Sequence, residues 1–200
     1  MTPGESISVG AAAIKLSNKV LGDTTEDLVD ILKELASEAG LSHISYLRMS
    51  LNKSLDSSTL TAITTYSKEW ERRYFYKQYF LIDSILRYGR DACSPFDWKN
   101  LVDGRDDLVD FIADAKRYNL GRNGFSIPVR NRKHSCAVVP FTNNLSKDDW
   151  EKFKAGNMTR LRHLSVLIDA AATIGAKLPD PPSVSLSLRE EQCLMWAARG

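Results

Sequence analysis

The sequence predicts an α+β fold, an α-β-α sandwich built on a central antiparallel sheet. Three observations predict it. Helix-like and strand-like patterns follow the order α-β-β-α-α-α-β-β-α, no βα unit alternates along the chain, and no segment repeats. Strands that pair through turns build antiparallel sheets, and the amphipathic helices between them need a sheet face to cover.

The first helix is expected over about Thr25–Ala39. Leu28, Ile31, Leu32, Leu35 and Ala39 recur at helical spacing, Thr24 caps the start and Gly40 stops it. His43–Met49 reads as a strand, Asn52–Ser58 as a loop and the β-branched run Thr59–Tyr66 as the returning strand. Lys68–Tyr88 is dense in aromatics and reads as two short helices. Asp106–Tyr118 is amphipathic, with Leu108, Phe111, Ile112 and Ala115 on one face. Gly124–Arg130 and Ser135–Thr142 are strands on either side of the basic turn Asn131–His134. Met158–Lys177 is a long helix with Leu161, Leu164, Ile168, Ala171 and Ile174 in a narrow stripe, which predicts either a homodimer contact or a seal on the sheet.

A stiff segment, Leu178-Pro-Asp-Pro-Pro-Ser183, marks a domain boundary. Ser187-Leu-Arg-Glu190 then forms a capping box for a helix over Leu188–Arg199. A lone helix of that length is marginal in water. The expected organisation is therefore a sensor over residues 1–177, a linker over 178–185, and at 186–200 the first helix of a small helical domain that lies largely outside this chain.

Composition narrows the function. With 43% hydrophobic and 26% charged residues the chain is globular, and a net charge of +2 is too small for a whole-surface nucleic-acid binder. No apolar run approaches the ~18–20 residues of a membrane span. Met1–Ser17 lacks the basic start and compact apolar block of a secretory signal. Cys93, Cys136 and Cys193 form no CxxC pair, so a reduced, cytoplasmic protein is expected. Enzyme motifs such as GxSxG, HExxH, the P-loop and GxGxxG are absent, and His43, His134 and His163 have no metal-ligand spacing. A Cys136–His134 nucleophile pair has nothing nearby to orient the base. The reading is a non-enzyme with no cofactor and no metal.

The informative stretch runs from Thr65 to Ile85. On a helix Trp70 and Tyr74 share a face, offering an indole N–H and a hydroxyl beside large apolar surfaces. Asp83 sits in an apolar run, and a buried carboxylate needs a donor. From the residues alone two accounts stand. Either the aromatics are core and Asp83 caps a helix or pairs with Arg87, or Asp83 accepts a ligand's amide N–H.

The order Tyr66, Trp70, Tyr74, Asp83, Trp98, Gly124 resembles the signature of LuxR-type autoinducer-binding domains. The strings Glu69-Trp-Glu-Arg-Arg-Tyr74, Pro95-Phe-Asp-Trp98 and Asn123-Gly-Phe-Ser-Ile-Pro-Val129 resemble that family's forms, over about Asp27–Ile174. Leu186–Gly200 resembles the opening helix of its DNA-binding domain. The resemblance implies a PAS/GAF-like pocket for an N-acyl-homoserine lactone, a helix-turn-helix reader for DNA, and a homodimer. It implies that Trp70 donates to the lactone carbonyl, Asp83 accepts the amide N–H, and Tyr66 bonds the first acyl carbonyl. Ser126 would add a hydroxyl near that amide or carbonyl, Tyr74 and Trp98 would wall the pocket, and Phe111 and Ala115 would line it.

There are departures. Ser84 stands where the family usually has proline, so the helix after Asp83 lacks a pre-set first residue. Asn119–Gly124 is one residue longer than usual. Pro140 occupies a position where relatives often offer Ser or Thr; its side chain donates nothing, and Thr142 is the candidate substitute for meeting a 3-oxo group. The rival readings are a sensor of another signal (an aryl- or branched-acyl lactone or a non-lactone metabolite), a small-molecule enzyme such as an acyltransferase, and a purely structural dimerisation module.

Overall fold

The computed structural model describes residues 25–51, 60–101, 108–130, 135–174 and 188–197. Helix α1, Thr25–Glu38, opens with Glu26 and Asp27, which favour the positive helix N-terminus. It buries Leu28, Ile31, Leu32, Leu35 and Ala36, and closes where Leu41 N–H returns to the Ala36 carbonyl at 2.8 Å. Strands β1 (His43–Ser50), β2 (Leu60–Thr64), β3 (Phe96–Asp97), β4 (Asn123–Val129) and β5 (Ser135–Asn143) form an antiparallel sheet in the order β2-β1-β5-β4-β3. The predicted α+β architecture is the observed one.

The strand alternation assigns the two faces. Ile44 and Tyr46 of β1, Phe125 and Ile127 of β4, and Val139 and Phe141 of β5 join α1 and a long helix, α5 (Lys147–Ile174), in one core. Leu161, Leu164, Ile168 and Ala171 are buried in it, so the α5 stripe is used up sealing the sheet, and only its Ile174 is exposed. The Tyr46 hydroxyl donates to Asp169 Oδ1 at 2.9 Å, tying β1 to α5 through that core. On the other face lie α2 (Lys68–Tyr76), α3 (Ser84–Gly89) and α4 (Val109–Arg117), arched over a cavity.

Several boundaries differ from the sequence reading. α5 begins at Lys147 rather than Met158. Ser146 caps it, accepting from Asp149 N–H at 3.2 Å and donating to its carboxylate at 2.7 Å. The helix runs through Gly156 and Asn157, poor helix formers at about 0.5–1 kcal/mol each. Burial of Trp150 against Phe125 and Phe153 outweighs that cost. Lys68–Tyr88 is two helices plus a 3-10 turn, Tyr79–Leu81, because Gln78 takes a left-handed conformation (φ 53) that ends α2. Strand β3 was not expected, since two residues cannot display an alternation. Its Phe96 and Asp97 pair with Ser126 and Phe125. α4 spans Val109–Arg117, and Asp106 and Asp107, where the predicted helix starts, lie outside the described residues.

The Thr24 cap, the 52–58 loop, the 131–134 turn, the 178–185 linker and the Ser187 cap lie outside the described residues. Helix α6, Leu188–Ala197, falls within the range expected for it. Among the described residues no helix is long and apolar enough to cross a membrane, and no His, Cys, Asp or Glu cluster suits a metal ion. The three cysteines are free, with Cys136 buried and Cys93 and Cys193 exposed.

Candidate ligand-binding site

Helix α2 forms the first wall. Ser67 caps it by accepting from Trp70 N–H at 3.2 Å, and the resulting phase sets Trp70 and Tyr74 side by side, rings 5.8 Å apart. Trp70 also packs against Tyr79, Phe111 and Tyr118, at 6.0, 6.0 and 5.6 Å. Phe111 reaches it from α4, and a buried carboxylate holds α4 in place. Asp114 accepts from Arg73 Nε of α2 and from the Tyr79 hydroxyl, each at 2.7 Å, and from Arg117 at 3.2 Å. Arg73 above all, then Tyr79, keeps the Asp114 carboxyl below the usual carboxylate range. Burial and the Asp114 bond push the Tyr79 phenol up to about 12. This link suspends Phe111, Ile112 and Ala115 over the sheet.

Asp83 forms the second wall. It caps α3, accepting Ile85 N–H at Oδ1 (2.8 Å), and takes the Tyr74 hydroxyl at Oδ2 (2.8 Å). A good N-cap can start a helix without proline at its first position, so α3 starts at Ser84 despite the departure there. Burial raises the Asp83 carboxyl above its ordinary value, opposed by the Tyr74 hydroxyl and the backbone amides of Ile85 and Leu86. The Tyr74 phenol is raised as well, by burial and then by the Asp83 charge. Arg87 is exposed and makes no pair with Asp83. A carboxylate has about four acceptor positions, so two oxygens with these partners can still take a ligand N–H.

Trp98 forms the third wall. Immediately after β3 the chain tightens into a 3-10 turn, Trp98–Asn100, which lays the indole flat on Gly124 of β4. A Cβ at Gly124 would stand 2.3 Å from Trp98 Cε3, so only glycine allows this approach. The indole Nε1–H donates to Ser126 Oγ at 2.8 Å.

The cavity between these walls measures about 930 Å³, within the ~300–1,000 Å³ typical of small-molecule sites. Tyr66, Trp70, Tyr74, Asp83, Trp98, Phe111 and Ala115 all border it. Ser126 does not; it is fully buried beneath Trp98, whose orientation it sets. Pro140 borders the cavity, whereas Thr142 is buried under Gly121, outside the cavity lining. Trp70 brings a buried indole to this lining, and burial holds the Tyr66 phenol protonated well above its ordinary value. The lining is apolar over most of its area, with Glu71, Lys99, Lys116 and Arg122 also on its border, and Trp70, Tyr66 and Asp83 bring it an N–H donor, a hydroxyl and a carboxylate acceptor.

Two parts of the site escaped the sequence reading. The Asp114 link joins residues 41 apart in sequence to Arg73, and no local pattern announces such a pair. Ser45 borders the cavity from β1; the alternation of that strand carries the signal for its face, though not for its surroundings.

A profile of the autoinducer-binding domain matches residues 24–172. The chain belongs to the LuxR-type autoinducer-binding domain family. The transcriptional activator protein RaiR of Rhizobium etli is 32% identical over 148 residues, covering 72% of this chain and 60% of RaiR. The quorum sensing-dependent regulator VjbR of Brucella ovis is 27% identical over 183 residues, covering 87% of this chain and 70% of VjbR. The chain therefore spans roughly two thirds of these relatives, which carry the names of transcription regulators, not enzymes. Two solved structures share the fold. CepR2 of Burkholderia cenocepacia, described as N-acylhomoserine lactone dependent, superposes with a TM-score of 0.60 at 19% identity, covering 84% of this chain and 94% of that one. Escherichia coli SdiA gives 0.58 at 15% identity, covering 95% and 79%.

Proposed function

We propose that this LuxR-type domain binds an N-acyl-homoserine lactone and that the signal controls a helix-turn-helix DNA reader. The presence of the Trp70 indole, the Tyr66 hydroxyl and the Asp83 carboxylate together on the border of one mainly apolar cavity carries the reading. An acyl-homoserine lactone has one amide N–H between two carbonyls, and each of those groups needs a partner once buried. Trp70 serves the lactone carbonyl, Tyr66 the acyl carbonyl and Asp83 the amide, while Tyr74, Phe111, Ala115 and Trp98 supply apolar walls. Ser126 acts through Trp98. Among the described residues no His or Cys borders the cavity, and burial raises the Cys136 thiol away from reactivity, which supports a sensor that returns its ligand intact.

Residues 1–177 form the sensor in this proposal, 178–185 the linker, and 186–200 the opening of the DNA-binding domain. A helix-turn-helix reads bases with its second helix, so Leu188–Ala197 alone does not recognise DNA, and the regulator works in the cytoplasm as a homodimer on paired half-sites. Titration of the 200-residue chain with N-octanoyl-homoserine lactone, followed by mass spectrometry of the released ligand, tests the sensor. One intact lactone per chain is expected. No binding, or recovery of hydrolysed product, would overturn it.

A further inference from the structure

The cavity floor contains a row of residues that runs across the sheet. Thr64 pairs with Ser45, and Pro140 with Ser126, while Ile44↔Phe141 and Leu47↔Val138 put Ser45 opposite Pro140. Most hydroxyls near this floor are committed or out of reach. Thr64 donates to Glu71 at 3.2 Å and accepts Tyr66 N–H at 3.2 Å. Ser126 accepts from Trp98. Thr142 Oγ1 has no partner, yet its side chain lies beneath Gly121 and away from the cavity. Pro140 has no hydroxyl to give.

Ser45 is different. It borders the cavity, is 1% exposed, and its Oγ has no hydrogen bond of good geometry. It lies within hydrogen-bonding reach of the Tyr66 hydroxyl, where it opposes the effect of burial on that phenol. An uncommitted buried hydroxyl is costly, at about 1–3 kcal/mol, unless a partner arrives. Rotation about its single χ1 torsion turns Oγ toward the cavity.

We propose that Ser45 recognises an oxygen on the third carbon of the acyl chain, so that the site prefers 3-oxo- or 3-hydroxy-acyl lactones to unsubstituted ones. This rests on the lactone reading above. With Tyr66 bonded to the first acyl carbonyl, an oxygen on the third carbon stands in a 1,3-relation to that carbonyl oxygen, about a hydrogen-bond length (~3 Å) away. Two neighbouring hydroxyls, Tyr66 and Ser45, match two neighbouring oxygens. Serine both donates and accepts, so it serves a ketone or an alcohol. The hydroxyl that Pro140 cannot provide on β5 is supplied from the cross-strand position on β1.

The test is titration of the 200-residue chain and its Ser45→Ala variant with N-octanoyl-, N-(3-oxooctanoyl)- and N-(3-hydroxyoctanoyl)-homoserine lactone. The parent should bind at least one substituted ligand about tenfold more tightly than the plain one, the effect of one net hydrogen bond. Ser45→Ala should abolish that preference and leave octanoyl affinity nearly unchanged. Equal parent affinity for all three would overturn the inference while leaving the lactone reading standing, and so would a Ser45→Ala loss shared equally by all three, which would make Ser45 a support for Tyr66 alone. If none of the three binds, the lactone reading fails and this inference fails with it.

Discussion

Gly124→Ala is the sharpest perturbation of the site, because it adds one methyl group where there is no room. The new Cβ would lie 2.3, 2.4 and 2.7 Å from Trp98 Cε3, Cδ2 and Cζ3, against an ordinary carbon contact of about 3.5–4.0 Å. The indole would have to retreat by more than an ångström, and its Nε1–H bond to the buried Ser126 hydroxyl opposes that movement. Overpacking of this kind costs about 1–3 kcal/mol, and loss of the indole bond adds about 0.5–1.5 kcal/mol. A destabilisation of about 1.5–4.5 kcal/mol should lower the thermal midpoint by roughly 3–18 °C in a chain of this size. Circular dichroism melts of the ligand-free variant measure it, and lactone titration should show weaker binding because Trp98 leaves its wall. Combining Gly124→Ala with Trp98→Leu removes the clash, so the double variant should melt above Gly124→Ala alone. A Gly124→Ala variant that melts and binds like its parent would refute the argument.

Other outcomes follow from the same geometry. Asp83→Asn should keep the fold, since asparagine also caps helices, while weakening lactone binding by about 1.5–3 kcal/mol, roughly ten- to more than a hundredfold; calorimetric titration with unchanged affinity would remove Asp83 from the site. Burial raises the Asp83 carboxyl, so the cost of burying its charge is absent below the ordinary Asp pKa and complete only above the raised folded one. Acidification through that window should therefore stabilise the ligand-free parent relative to Asp83→Asn, read from melts across pH. Trp70→Phe should keep the aromatic wall and lose about 0.5–1.5 kcal/mol for the lactone, but little for an open-chain homoserine analogue; equal losses would place the lactone carbonyl elsewhere. Asp114→Asn should cost on the order of 1–2 kcal/mol through the weakened Tyr79 bond. Its folded pKa is depressed, so the parent's advantage should be complete above the ordinary Asp value, about 4, and vanish as pH falls through the folded value; a pH-independent difference would show that the Asp114 charge contributes nothing.

The parts of this protein legible in its sequence are those set by short-range periodicity. Leu28, Ile31, Leu32 and Leu35 mark α1 because a helix repeats every 3.6 residues, and Trp70 and Tyr74 share a face for the same reason. The alternating strands and the absence of βα units point to an antiparallel sheet before any coordinate is known. Asp83 draws notice because an acidic residue in an apolar run has few explanations. In the structure it caps α3 and also borders the cavity.

What only the tertiary structure decided depends on residues far apart in the chain. Trp150, buried against Phe125, carries α5 through Gly156-Asn157, so local propensity misplaced its start. The α5 stripe fitted a dimer contact as well as a core face until the sheet was seen to cover it. Ser126 resembles a ligand contact in sequence, yet its hydroxyl belongs to Trp98, brought over it by a two-residue strand too short to leave a pattern. Asp114 meets Arg73 across 41 residues, and Ser45 faces Pro140 only because β1 and β5 align in one register. Periodicity tells which face a side chain takes, because backbone geometry is local. It does not tell what stands opposite, because partners are chosen by packing among elements that the chain order leaves unpaired.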